Sequence, residues 1–131
     1  LAVRARSPAT RIWSAEPAGH DDHRRALASG LRESNAPGTR SICDALLAPE
    51  PGLLTFAINR QLLAGGLAVT DDEVRAAIAY AARTLKLIVE PGGAVALAAV
   101  MAGRIDARGR TIAVVLSGGN IDDALLREIL C

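Results

Sequence analysis

Aromatic residues are scarce in this chain. Trp13, Phe56 and Tyr80 are the whole set, and 15 basic residues stand against 14 acidic ones. With neither a basic excess nor faces for bases to stack on, no nucleic acid partner is expected. Cysteine is equally rare. Cys43 and Cys131 lie far apart with no Cys-x-x-Cys spacing, so they read as reduced thiols rather than a disulfide framework or a zinc knuckle. No apolar run approaches the roughly 20 residues that a bilayer-spanning helix needs, and Leu1 to Thr10 shows no signal-peptide pattern. These absences give the expectation of a cytoplasmic protein with no membrane partner. Lysine is the rarest charged residue: Lys86 stands alone, in Leu85-Lys86-Leu87, and the chain opens at Leu1 rather than a methionine. Both features lead us to expect part of a longer protein.

What is present is ample for one folded unit, since 131 residues with 50% hydrophobic content can bury a core. The pattern predicts a helix end over Leu1–Arg6, stopped near Ser7-Pro8, then a strand over Thr10–Ala15 broken by Glu16-Pro17-Ala18-Gly19. A short helix over Asp21–Ser29 should end at Gly30. A polar loop over Leu31–Thr39 and an unpatterned segment, Ser41–Leu46, follow. Leu53–Leu63 has helical spacing, and Leu67–Val69 reads as a short strand after Gly65-Gly66. Thr70-Asp71-Asp72-Glu73 is a capping box opening a helix whose stripe, Val74, Ala77, Ile78, Ala81 and Leu85, should be buried. Val89-Glu90-Pro91 interrupts, and Ala94–Ala102 forms a helix of small apolar residues. Thr111–Leu116 is apolar enough for a central parallel strand covered on both faces, with Asn120 capping a last helix that opens at Ile121. The expected fold class is α/β, an open, mostly parallel sheet with helices on both faces, and residues 1–131 form one unit.

Three constellations offer chemistry. Ser117-Gly118-Gly119-Asn120 places a hydroxyl on a tight turn after a strand, where open α/β sheets bind ligands, so Ser117 is a candidate contact for a flat heteroaromatic cofactor. Glu16-x-x-x-His20-Asp21-Asp22 offers carboxylates and an intervening carbonyl, hard oxygen ligands suited to magnesium or calcium. The plainer alternative is a strand end followed by an acidic helix N-terminus. His20 and His23 bracket the aspartates, a spacing common on surfaces, which does not favour a zinc centre. Glu90 sits at the mouth of a helix opened by Pro91-Gly92-Gly93; those glycines can hold an anion or simply serve packing. Ser117 lies in no Gly-x-Ser-x-Gly elbow, so a hydrolase triad is not supported.

Taken in order, five runs resemble the C-terminal part of the serine/threonine dehydratase family. These are pyridoxal-phosphate enzymes of the tryptophan-synthase-β fold type, a group that includes serine racemases. The runs are Ala15-Glu16-Pro17-Ala18-Gly19-His20-Asp21-Asp22, Ser41-Ile42-Cys43-Asp44-Ala45-Leu46, Thr70-Asp71-Asp72-Glu73, Leu85 through Ala94, and Val114 through Asn120. The resemblance implies that Ser117 hydrogen-bonds the cofactor's pyridine nitrogen, that Gly118 and Gly119 let the backbone pass beneath the ring, and that Glu90 lies near the ring edge. It also implies a site for Mg²⁺ or another divalent cation at Glu16, the His20 carbonyl and Asp22, with His20 replacing a more usual alanine.

A hydroxyl is essentially never ionised near neutral pH, so Ser117 cannot hold the pyridine nitrogen protonated as an aspartate would. The ring is then a weaker electron sink, which suits β-elimination over transamination. The implied reaction is loss of water from L-threonine or L-serine, giving a 2-oxo acid and ammonia. The family's Schiff-base lysine belongs to an N-terminal half whose motif this chain lacks, and Lys86 is expected to pack or snorkel rather than catalyse. The chain alone is therefore expected to be inactive, and its full-length parent to be a homo-oligomer. The absence of an appended regulatory domain favours a short catabolic or racemase-like parent. A serine racemase and a non-catalytic binding or pairing module are the alternatives. An apolar seam is expected to be exposed where further strands would pair.

Overall fold

The computed structural model describes every residue, Leu1–Cys131. Its framework is a parallel pair of strands, β1 (Trp13–Pro17) and β2 (Gly65–Val69), in the register Trp13↔Gly65 through Pro17↔Val69. Parallel neighbours need a crossover, supplied here by α2 (Asp22–Ser29) and α3 (Leu53–Leu62). A short helix, α1 (Ala2–Arg6), precedes β1. Three further helices follow β2: α4 (Asp71–Tyr80), α5 (Pro91–Met101) and α6 (Asp123–Leu130). No helix is long and apolar enough to cross a membrane.

Side chains alternate across a strand, and the two faces of this sheet are used differently. Gly66 lies against the Arg24 backbone of α2, whereas Ala15, Leu67 and Val69 join the main core with Val74, Ala77, Ile78, Ala94, Val95, Ala98 and Ala99 of α4 and α5. Helices therefore cover both faces, as expected. Each fully buried aliphatic side chain in this core contributes about 1.5–3 kcal/mol, and the alanine-rich α5 lets the helices approach closely. The capping box forms as read: Glu73 N–H donates to the Thr70 hydroxyl at 3.2 Å and Thr70 N–H to the Glu73 carboxylate at 2.8 Å.

Several expectations are corrected. Strand β1 starts three residues later than Thr10 and runs through Glu16 and Pro17, because Thr10 N–H closes a turn onto Ser7 at 3.0 Å. Both glycines of Gly65-Gly66 belong to β2. Leu85 is 41% exposed, since α4 widens into a π-turn over Ala81–Leu85 that shifts the helical phase and ends at Lys86, left-handed at φ 61°. Pro91 opens α5 rather than interrupting the chain, as its missing N–H suits the first helical position. The last helix is capped by Asp122, whose carboxylate accepts from Ala124 and Leu125 N–H at 2.9 and 3.0 Å; Asn120 does not cap it. Thr111–Leu116 joins no sheet. Its residues alternate between exposed and half-buried, and Val115 is 75% exposed. One face leans on the core while the other is bare, and no neighbouring strand completes a ladder.

Candidate functional site

The turn after Thr111–Leu116 is shaped from behind by the start of α5. Gly93 touches the Ser117 carbonyl so closely that a Cβ there would overlap the oxygen. Gly118 adopts φ 74°, a conformation L side chains rarely take, and a Cβ on it would collide with the Glu90 carboxylate. Glu90 holds the turn twice: its N–H donates to the Gly118 carbonyl at 3.2 Å, and its Oε2 accepts from Asn120 N–H at 3.2 Å. The carboxylate thus supports the turn backbone. Gly92 and Gly93 both face protein atoms, Ala45 and Leu46 on one side and Ser117 on the other, which favours their packing role over an anion seat. At the front, Ser117, Gly118 and Gly119 are exposed. The contacts of Glu90 and Gly93 that brace the turn leave the exposed Ser117 hydroxyl free of hydrogen bonds within the chain, an accessible donor and acceptor.

The second constellation is built differently. The Glu16 carboxylate at the end of β1 accepts from His23 N–H at 3.1 Å and Arg24 N–H at 2.7 Å, spanning the first turn of α2. Burial pushes its pKa up to about 7; the two amides oppose this, and the charges of Asp22 and Asp21 add to it. Asp22, 5% exposed, accepts from the Asn35 side-chain amide at 2.6 Å. Asp21 is bound by the guanidinium groups of Arg24 and Arg25. Burial would raise its pKa, but those two arginines outweigh burial and hold it below the usual range. His20 is buried. Since the Thr39 hydroxyl donates to Ala36 O at 3.0 Å, it accepts from His20 Nε2 at 3.2 Å, leaving Nδ1 buried without a partner. Glu16, His20 and Asp22 therefore sit together at one bend, but no three His, Cys, Asp or Glu side chains converge on a common point.

Sequence reasoning named His23 only as bracketing the aspartates and missed its partners. His23 meets Ser14 through Nδ1 at 3.1 Å and Asn59 through Nε2 at 3.2 Å, and burial lowers its pKa although Asp22 opposes the shift. These residues line a cavity of about 360 Å³ with Glu16, Asp22 and Leu46. Only the tertiary fold unites positions 14, 23 and 59, so no local pattern could have announced them. Cys43 and Cys131 are both free thiols. Lys86 is exposed and donates to the Arg83 carbonyl at 2.7 Å.

Among known proteins, the family described as pyridoxal-phosphate dependent enzyme matches residues 1–118. A serine racemase of Dictyostelium discoideum is 32% identical over 133 residues, covering 99% of this chain and 41% of that protein. An L-threonine ammonia-lyase of Thermotoga maritima is 28% identical over 130 residues, covering 99% of this chain and 32% of that protein. The solved structure of maize serine racemase superposes with a TM-score of 0.86 at 34% identity, covering 98% of this chain and 40% of that one. The chain therefore spans less than half the length of these relatives, and its α/β architecture is the one they share.

Proposed function

This chain belongs to the pyridoxal-phosphate-dependent enzyme family, and from that premise we propose that it is the C-terminal part of the catalytic domain of a serine/threonine ammonia-lyase. The observation that carries the reading is the idle Ser117 hydroxyl on a turn held rigid by Glu90 and Gly93. That arrangement fits the pyridine edge of pyridoxal phosphate, which needs one hydrogen-bonding group at the ring nitrogen and a thin backbone beside it. Surface area supports a larger parent. A compact monomer of this mass would expose about 6,600 Å², whereas this chain exposes 7975 Å² with Thr111–Leu116 unpaired.

Bound pyridoxal phosphate supplies the electron sink for carbanion character at the substrate α-carbon. Ser117 would hydrogen-bond the ring nitrogen without carrying charge, which would keep the sink moderate. Glu90 keeps Gly118 and Asn120 in place, and with them the hydroxyl. The net reaction removes water from L-threonine or L-serine and, after hydrolysis of the resulting enamine, yields 2-oxobutanoate or pyruvate and ammonia. Glu16, the His20 carbonyl and Asp22 remain a proposed cation site with an all-oxygen donor set, and no chemical step is routed through it.

The serine racemase relatives favour a second reading, isomerisation of serine at the same turn. Supplying the lysine-bearing half and pyridoxal phosphate tests both. Release of 2-oxobutanoate from L-threonine supports the lyase, and D-serine formed faster than pyruvate supports the racemase. A chain that ignores both additions would be a non-catalytic module.

A further inference from the structure

Asp71 lies in the first turn of α4, and its carboxylate reaches 30 residues back along the sequence. Ser41 Oγ donates to Oδ1 at 2.6 Å and Ile42 N–H to Oδ2 at 3.1 Å. Ser41 in turn accepts from Cys43 N–H at 3.1 Å, and Cys43, with no exposed surface, roots the segment in the main core. A single turn of 3₁₀ helix, Asp44–Leu46, follows, closed by Leu46 N–H to Cys43 O at 2.8 Å. Its Ala45 and Leu46 lie against Gly92, so that a Cβ on Gly92 would come within 3.4 Å of each. The next residue, Gly93, bears on the Ser117 carbonyl. A continuous line of contacts therefore runs from Asp71 through the 41–46 segment and the glycine pair to Ser117. Charge-assisted hydrogen bonds of this kind are among the strongest local ties available.

We infer that Asp71 is a positioning residue: it latches the Ser41–Leu46 segment against the N-terminus of α5 and so fixes the seat of the Ser117 hydroxyl. Glu90 holds the turn from its own end of α5, and Asp71 holds it from across the core. The neighbouring Asp72 is exposed and makes no side-chain contact of this sort, which provides a matched control. This inference rests on the reading of Ser117 as the cofactor's contact.

The test uses two readouts in a Cys131→Ser background. The first is the rate of Cys43 thiol modification in the 131-residue chain. Asp71→Asn should raise it roughly tenfold, the consequence of losing one charged hydrogen bond from the latch, while Asp72→Asn leaves it unchanged. Ser41→Ala opens the same latch from the loop side without touching α4, which covers the case in which Asp71→Asn does not fold. The second is the emission spectrum of pyridoxal phosphate in the protein loaded with the cofactor and its lysine-bearing half. Asp71→Asn and Ser41→Ala should move it in the direction of Ser117→Ala, and Asp72→Asn should not. A Ser117→Ala shift that Asp71→Asn fails to reproduce overturns the inference and leaves the proposed function standing. No Ser117→Ala shift at all overturns the cofactor assignment and the positioning role built on it, and equal Cys43 rates in the two aspartate variants overturn the latch itself.

Discussion

The bend after β1 and the turn after residue 116 are both polar, yet they stand in opposite conditions. At the bend, Glu16, Asp21 and Asp22 are partly or wholly buried and each is satisfied by another group of the chain. At the turn, Ser117 is exposed and makes no bond, while its surroundings are braced by Glu90 and Gly93. Groups that already hold one another are occupied with keeping the fold, because an unmet buried carboxylate is expensive. The exposed Ser117 hydroxyl is the opposite case, committed to no group of the chain and set on a braced turn. Polarity alone does not locate a ligand; an accessible group on a supported backbone is the better guide, and at the bend only the buried His20 Nδ1 is without a partner.

The contrast between the two sites breaks most visibly at Gly93. Gly93→Ala should cost about 3 kcal/mol in denaturant unfolding, since the added methyl would overlap the Ser117 backbone carbonyl and crowd Val89, and it should abolish cofactor binding. At the bend, Asn35→Ala should cost about 2 kcal/mol by leaving the buried Asp22 carboxylate unmet, with cofactor affinity in the loaded protein unchanged. Ser117→Ala reverses that pattern. Unfolding should move by less than about 0.5 kcal/mol, as for a substitution that touches nothing, while cofactor affinity, followed by absorbance titration, should fall about tenfold, the equivalent of about one net hydrogen bond.

The smallest effect concerns pH. Glu16 keeps its proton to about 7 in the fold, whereas the unfolded chain releases it near 4.5. Between those values the folded state binds more protons, so this group's contribution is fully present below about pH 4.5 and is lost as the pH rises through about 7. Asp21, with its pKa lowered, has the opposite sign: its contribution is lost as the pH falls through its folded pKa. Melting temperatures measured from about pH 4 to about pH 8 should show Glu16→Gln flattening the upper part of the profile. An unchanged slope would show that Glu16 ionises freely.

Much of this was legible in the residues. The capping box at Thr70, the stripe from Val74 to Ala81 and the stop at Gly30 are local signals, and each appears in the structure as read. Ser117 could be picked out because a hydroxyl between an apolar run and two glycines is itself a local pattern. What escaped was set by contacts between distant positions. The true cap, Asp122, could not be told from Asn120 without knowing that Glu90 takes the Asn120 amide. The reach of Asp71 to Ser41 and the bond from Asn35 to Asp22 join segments that share no periodicity. The strand expected at Thr111–Leu116 was read from side chains, but a strand is completed by its neighbour's backbone, which no single segment carries.

The chain's one lysine leaves a practical legacy. Lys86 is itself the left-handed residue that ends the π-turn, exposed to solvent, so across these 131 residues an amine-directed dye or surface finds one lysine side chain. An aldehyde reagent fixed by borohydride would likewise mark one lysine in this stretch, readily separated by peptide mapping from any lysine contributed by another segment.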